Sequence, residues 1–283
     1  IEQGDTFLSP PKILLQRLGT FLELVKFEHT IFALPFAYMG AILAARGIPS
    51  LWQWIWITLA MVGGRTAGMS LNRLIDEQLD ARNPRTRNRP LQQKQISKES
   101  VWGLTVISIF LLVISASQLP PICLALIPVA LFLLTGYSYL KRFTWLCHFG
   151  VGLVLAIAPI GGWLAITGSF VLEAWILGGA VLFWVAGFDI LYATLDLTFD
   201  KTVEIFSIPK TFGLARALQI SRFLHFGSVL LLMWLGILTQ LPLFYWIGFL
   251  LASGFLYYEH RIISPTDLSR VNQAFFVLNG WVS

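Results

Sequence analysis

Asn72, Asp76 and Asp80 stand at positions i, i+4 and i+8. In a helix, steps of four residues advance only about 40° past a full turn, so all three project from nearly one face. Asp189, Asp196 and Asp200, at i, i+7 and i+11, share a face to within about 20° by the same geometry. Like charges in adjacent turns repel unless something positive sits between them. A hard divalent cation is the economical answer, and Mg²⁺ is commonly held by one or two carboxylates together with substrate phosphates. No thiolate set or His cluster is offered for zinc or copper.

Basic residues accompany both sets. Arg82, Arg85, Arg87 and Arg89 follow the first, Lys201 and Lys210 follow the second, and Lys141 and Arg142 lie between them. Arg presents a planar fork suited to phosphate oxygens and Lys a compact point charge. Acids, a metal and basic side chains beside an apolar interior describe a site for a lipid diphosphate. The plainer alternative is a pair of solvated helix ends with salt-bridging arginines.

The elements that must carry these residues are apolar. Of 283 residues, 56% are hydrophobic and only 12% charged, about half the charged share of an ordinary soluble domain, which excludes a water-soluble globule. Crossing the hydrocarbon takes about 20 apolar residues. Eight such runs are visible, at 27–46, 51–72, 101–118, 121–140, 144–167, 171–195, 217–239 and 241–259, with a ninth begun near 273. The expected fold is all-α, a polytopic transmembrane bundle of about nine spans. Equivalent acid sets four spans apart point to a four-helix internal duplication. Residues 1–26 form a separate segment, in which Leu14, Leu15, Leu18, Phe21, Leu22 and Val25 recur at helical spacing among charges. That pattern reads as an amphipathic helix on the membrane surface, followed by one transmembrane domain over 27–283. The chain opens without Met and stops inside an apolar run, so both ends are expected to be trimmed, and no cleavable leader is expected.

Net charge is +5, and its placement discriminates among partners. The connections after spans one, three, five and seven carry a single cation, Arg46, while nearly all other Lys and Arg lie on the opposite side. That side is therefore cytoplasmic or its equivalent. Cations scattered among acids in short loops exclude a nucleic-acid surface. Cys123 and Cys147, 24 residues apart in apolar stretches, read as packing residues. Gly161, Gly162, Gly178 and Gly179, deep in spans five and six, read as close helix contacts rather than a phosphate loop.

At this point the chain resembles the UbiA family of intramembrane aromatic prenyltransferases. The NxxxDxxxD motif matches Asn72, Asp76 and Asp80, and RTxxRPL matches Arg85 to Leu91. YxxxKR matches Tyr137, Lys141 and Arg142, and DxxYAxxDxxxD matches Asp189, Tyr192, Ala193, Asp196 and Asp200. Arg73 stands where many members have Asp, so it cannot be a ligand. Residues 26–35 and Arg65-Thr66-Ala67-Gly68 look most like the 4-hydroxybenzoate polyprenyltransferase branch.

The resemblance implies nine helices with both motifs on the cytoplasmic side of a bacterial plasma, thylakoid or organelle inner membrane. It implies Mg²⁺ held by Asn72, Asp76, Asp80, Asp196 and Asp200. A polyprenyl diphosphate would be gripped by Lys141, Arg142, Lys210, Arg85 and Arg89, with Lys26 a weaker candidate at the mouth of span one. A small aromatic acceptor would capture the allylic cation, as in ubiquinone or plastoquinone biosynthesis. Asp76 and Asp196 then serve catalysis. Arg65 either pairs with the acceptor's carboxylate or with a structural acid. Asp189 either orients the acceptor or takes the ring proton, and Tyr137 and Tyr192 either bond phosphate or wall the cavity. Homogentisate, a dihydroxynaphthoate and a porphyrin-type ring remain rival acceptors, and a cation-coupled transporter is the alternative from a different class.

Overall fold

Backbone N–H and C=O groups find no partners in hydrocarbon, so long apolar runs must close their hydrogen bonds internally as helices. A computed structural model describes residues 19–25 and 27–282, leaving aside the side chains of 27–33, 275 and 276. Eight long helices follow one another: α1 Phe27–Ala45, α2 Leu51–Ile75, α3 Lys98–Ser117, α4 Ile127–Leu140, α5 Cys147–Thr167, α6 Leu172–Ala193, α7 Leu214–Leu238 and α8 Leu243–Ile262. Ser50 caps α2 in a reciprocal box with Gln53, and Ser97 caps α3 through the Ser100 amide, so polar residues at the spans' entrances satisfy the first free N–H groups.

The fourth expected span is not one helix. Pro121 opens a short turn ending at Ala125, and the chain restarts as α4 with a proline in its first turn, because proline fits only where no N–H is needed. The ninth run is a short α-turn, Val271–Gln273, then a π-helical turn, Ala274–Leu278, then Asn279–Val282. By length and composition, four helices among the described residues can cross a membrane: α3, α5, α6 continued to Asp200, and α7. The 25-residue α2 and the 20-residue α8 match them in length but carry Arg65, Asn72 and Arg73, or Glu259, His260 and Arg261.

The core centres on α6, which is 67% buried along its apolar stretch, against 28% for α7. Trp184 and Val185 of α6 meet Phe36 and Ala37 of α1, Ala158 of α5 and Leu256 of α8 in one cluster. Ser221 and Ser228 of α7 donate to the Gly187 and Ala180 carbonyls of α6, each at 2.8 Å. Helices α1 and α5 touch backbone to backbone. A Cβ on Gly40 would lie 2.1 Å from the Pro159 carbonyl oxygen, and one on Gly162 would lie 2.0 Å from that of Ala37. Close packing through small residues, the expectation for Gly162, is what this crossing uses, whereas Gly161, expected to do the same, has nothing within 4 Å of its Cβ position.

Of the N-terminal amphipathic segment, Phe21 and Leu24 pack against Leu91, Ile96 and Val101. The segment up to residue 18, and Lys26, lie outside the described residues.

Candidate active site

The first acid set is built on an almost unbroken helix. Helix α2 ends at Ile75 and a short helix runs Glu77–Arg82, yet the i→i−4 pattern continues through Asp76 N to Asn72 O at 2.9 Å and Asp80 N to Asp76 O at 2.8 Å. The shared face expected from the spacing is therefore preserved. The second set is bent. Asp189 and Tyr192 belong to α6, Asp196 ends a 3₁₀ turn, Thr194–Asp196, and Asp200 closes the helical turn Leu197–Asp200. All three acids still line one polar pocket of about 300 Å³ with Asn72, Asp76 and Asp80.

Each acid has a partner. Lys141 Nζ lies 2.6 Å from Asp76 Oδ2, and Asn72 Nδ2 donates to the same oxygen at 2.9 Å. Asp80 pairs with Arg89, with Arg73 3.8 Å away. Asp196 receives Arg85 Nε at 2.8 Å and Asn83 Nδ2 at 3.1 Å. Arg85 also donates to Tyr192 Oη at 2.7 Å and lies over its ring. Burial pulls the Arg85 guanidinium down, and the hydrogen bond and charge of Asp196 outweigh it, holding the group above its ordinary value. Asp189 Oδ2 lies 2.6 Å from His148 Nδ1, and Asp200 accepts from Ser207 Oγ at 3.0 Å.

Two expected phosphate ligands are held by backbone carbonyls. Lys210 Nζ donates to the carbonyls of Val203 and Ile205 at 2.8 and 2.7 Å, so it clasps its own loop and is not among the pocket's lining residues. Arg142 ties Ser138 O and Ile75 O at 2.9 and 2.8 Å. Its Nη2 also lies 3.1 Å from Asp76 Oδ1 as an ion pair, although Asp76 Oδ1 receives no hydrogen bond.

A second cavity of about 580 Å³ adjoins the first and is mostly apolar. Phe36, Met61, Leu112, Ile127, Leu155 and Trp184 are among its walls, and Tyr137, Val151, Asp189 and Tyr192 line both spaces. Arg65 faces this cavity, and its Nε meets no hydrogen-bond partner. Arg73, the departure in the first motif, is 5% exposed and donates to Leu24 O at 3.2 Å, binding the N-terminal segment to the first acid set.

Sequence spacing did not reveal His148, Asn83, Ser138 or Ser207. His148 lies 41 residues from Asp189 and Asn83 lies 113 from Asp196; neither pair carries a periodic signal. Ser138 accepts from Asn72 Nδ2 at 3.0 Å, and its place beside Tyr137 was the available hint.

The donor set fits Mg²⁺ in type. The oxygens of Asn72, Asp76, Asp80, Asp196 and Asp200 face one pocket, and Asp76 Oδ1 is buried without a hydrogen bond. Among the described residues no three acidic, His or Cys side chains converge as a closed cage, which Mg²⁺ does not require when substrate phosphates complete its shell.

A family model described as the UbiA prenyltransferase family matches residues 33–281. The 4-hydroxybenzoate octaprenyltransferase of Nitrosospira multiformis is 31% identical over 276 residues, covering 95% of this chain and 93% of its own. That of Xanthomonas campestris pv. campestris is 31% identical over 277 residues, 94% of this chain and 89% of its own. Among solved structures, the apo structure of a UbiA homolog from Aeropyrum pernix superposes with a TM-score of 0.83 at 34% identity, over 90% of this chain and 94% of that one. A UbiA homolog from Archaeoglobus fulgidus bound to DMAPP and Mg²⁺ has the same fold, with a TM-score of 0.70 at 19% identity over 93% and 97%. With its acid motifs around one polar pocket of an apolar helical bundle, the chain belongs to the UbiA prenyltransferase family and is an integral membrane prenyltransferase.

Proposed function

We propose that this protein transfers a polyprenyl group from a polyprenyl diphosphate to the 3-position ring carbon of 4-hydroxybenzoate, with Mg²⁺, in quinone biosynthesis. The observation that carries the reading is the junction of two unlike spaces at Asp189, Tyr137 and Tyr192. The polar pocket is lined by four cations, Arg73, Arg85, Arg89 and Lys141, and by five carboxylates, Asp76, Asp80, Asp189, Asp196 and Asp200. A multiply charged diphosphate entering such a lining is repelled unless it brings or meets added positive charge. Bound divalent metal supplies that charge and stabilises the leaving diphosphate. The names of the relatives and the DMAPP and Mg²⁺ bound to the Archaeoglobus fulgidus homolog support the donor class and the metal.

The chain's own residues do the rest. Lys141, Arg85 and Arg89 exchange their carboxylate partners for phosphate oxygens, while Asn72, Asp76, Asp80, Asp196 and Asp200 hold metal. The C–O bond breaks, the diphosphate leaving with the electron pair, and the apolar cavity keeps water from the allylic cation. Arg65 receives the acceptor's carboxylate, which gives a partner to a buried Nε that lacks one in an otherwise greasy wall. The ring carbon bonds the allylic carbon and gives its proton to Asp189. The pocket mouth faces the cytoplasmic-equivalent side, supported by the one-sided distribution of Lys and Arg.

The test is prenyl transfer by purified protein in detergent, with prenyl diphosphates of several lengths against a panel of aromatic acceptors, read by mass spectrometry. Prenylated 4-hydroxybenzoate is expected, and it disappears with EDTA and in Asp76→Asn and Asp196→Asn. Product from another acceptor would replace the substrate and keep the mechanism. Diphosphate release from no pair would overturn the reading.

A further inference from the structure

His148 opens α5, with a side chain 3% exposed, and both of its nitrogens are engaged. Nδ1 lies 2.6 Å from Asp189 Oδ2. On the far side of the ring, the Ile208 backbone N–H donates to Nε2 at 3.2 Å. An amide N–H can only donate, so Nε2 is the lone-pair nitrogen and Nδ1 carries the hydrogen. An imidazolium would set two N–H groups face to face at Nε2. In the neutral tautomer that this contact requires, the Nδ1–H points at one oxygen of Asp189.

Ile208 follows Ser207, which donates to Asp200 Oδ2 at 3.0 Å and caps the Ile208–Phe212 turn. Two adjacent residues thus reach the diphosphate-side acid and, through the imidazole, the acid that borders both cavities. We infer that His148 is the positioning residue of Asp189: it occupies Oδ2, is itself anchored to the backbone at Ile208, and leaves Oδ1 to meet the acceptor ring. The inference rests on the aromatic prenyl transfer proposed above. A base must lie within hydrogen-bond reach of the proton it removes, so a carboxylate free to rotate loses rate even though its charge is unchanged. The proton passes from the ring carbon to Asp189, and His148 takes no proton in that step.

The test uses the full chain in detergent with saturating prenyl diphosphate and 4-hydroxybenzoate, protiated or deuterated at the ring positions ortho to the hydroxyl. His148→Leu removes both hydrogen bonds; His148→Asn keeps an N–H near the Nδ1 position. His148→Leu is expected to lower turnover on the order of 10²-fold, leave KM for the diphosphate unchanged and develop a primary isotope effect, as proton removal becomes slow. His148→Asn is expected to recover most of the rate and lose the isotope effect, and it carries the comparison where His148→Leu does not fold. A rise in diphosphate KM without an isotope effect would show a plain structural tie and overturn the inference, as would a His148→Leu protein of unchanged rate. ¹⁵N-histidine NMR of the substrate-free protein decides the tautomer separately: protonation at Nε2 overturns the inference. Absence of transfer to any aromatic acceptor by the native chain would instead overturn the functional reading.

Discussion

The two spaces that meet at Asp189 handle charge in opposite ways. In the polar pocket Asp76, Asp80 and Asp196 are already paired, with Lys141, Arg89 and Arg85. The larger cavity presents Arg65, whose Nε has no hydrogen-bond partner. In the proposed reaction the pocket would exchange charge partners and the cavity would accept one anion. This difference would separate the binding of the diphosphate from the orientation of a carboxylate-bearing ring, although the two spaces lie side by side.

Four substitutions break or sharpen that contrast. The largest effect is expected from Lys141→Ala. Asp76 is 2% exposed, and removing its amine partner uncovers a buried carboxylate at about 3 kcal/mol, near the low end for a broken buried pair because Arg142 stays close. Thermal unfolding in detergent without metal reads it. Arg65→Leu should leave stability and diphosphate KM near their native values while lowering kcat/KM for the acceptor about 30-fold, roughly the 2 kcal/mol of a charge-assisted hydrogen bond. An equal loss with an acceptor lacking a carboxylate would remove Arg65 from that role. Gly161→Leu projects side-chain atoms into open cavity, since nothing lies within 4 Å of its Cβ position. Turnover of the longest diphosphates should fall about tenfold relative to short ones, as competition between chain lengths would show. Arg85→Ala should change stability by no more than about 1 kcal/mol, because Arg85 is 35% exposed in its pair with Asp196 and solvent screens it.

Much of this was readable in the sequence, for stated reasons. The observed long helices fall within about three residues of the apolar runs, apart from the fourth, because hydrocarbon forces helix on any run of that length. Asn72, Asp76 and Asp80 share a face because their segment keeps its i→i−4 bonds through the helix break. The 3₁₀ turn at Thr194–Asp196 was not readable, since the polar residues there fit an α-helix equally well. The split of the fourth run was signalled by Pro121 and Pro128 and overridden by uninterrupted apolarity. Lys210 looked like a phosphate ligand because composition records charge but not the loop carbonyls at Val203 and Ile205 that hold it. The reach of Arg85 across 111 residues to Asp196 depends on how the halves pack, which no local pattern encodes.

The crossing of α1 and α5 governs motion as well as packing. With Gly40 against the Pro159 carbonyl and Gly162 against that of Ala37, neither helix can slide along the other without driving backbone into backbone. Shear between them is therefore closed as a route to opening the site.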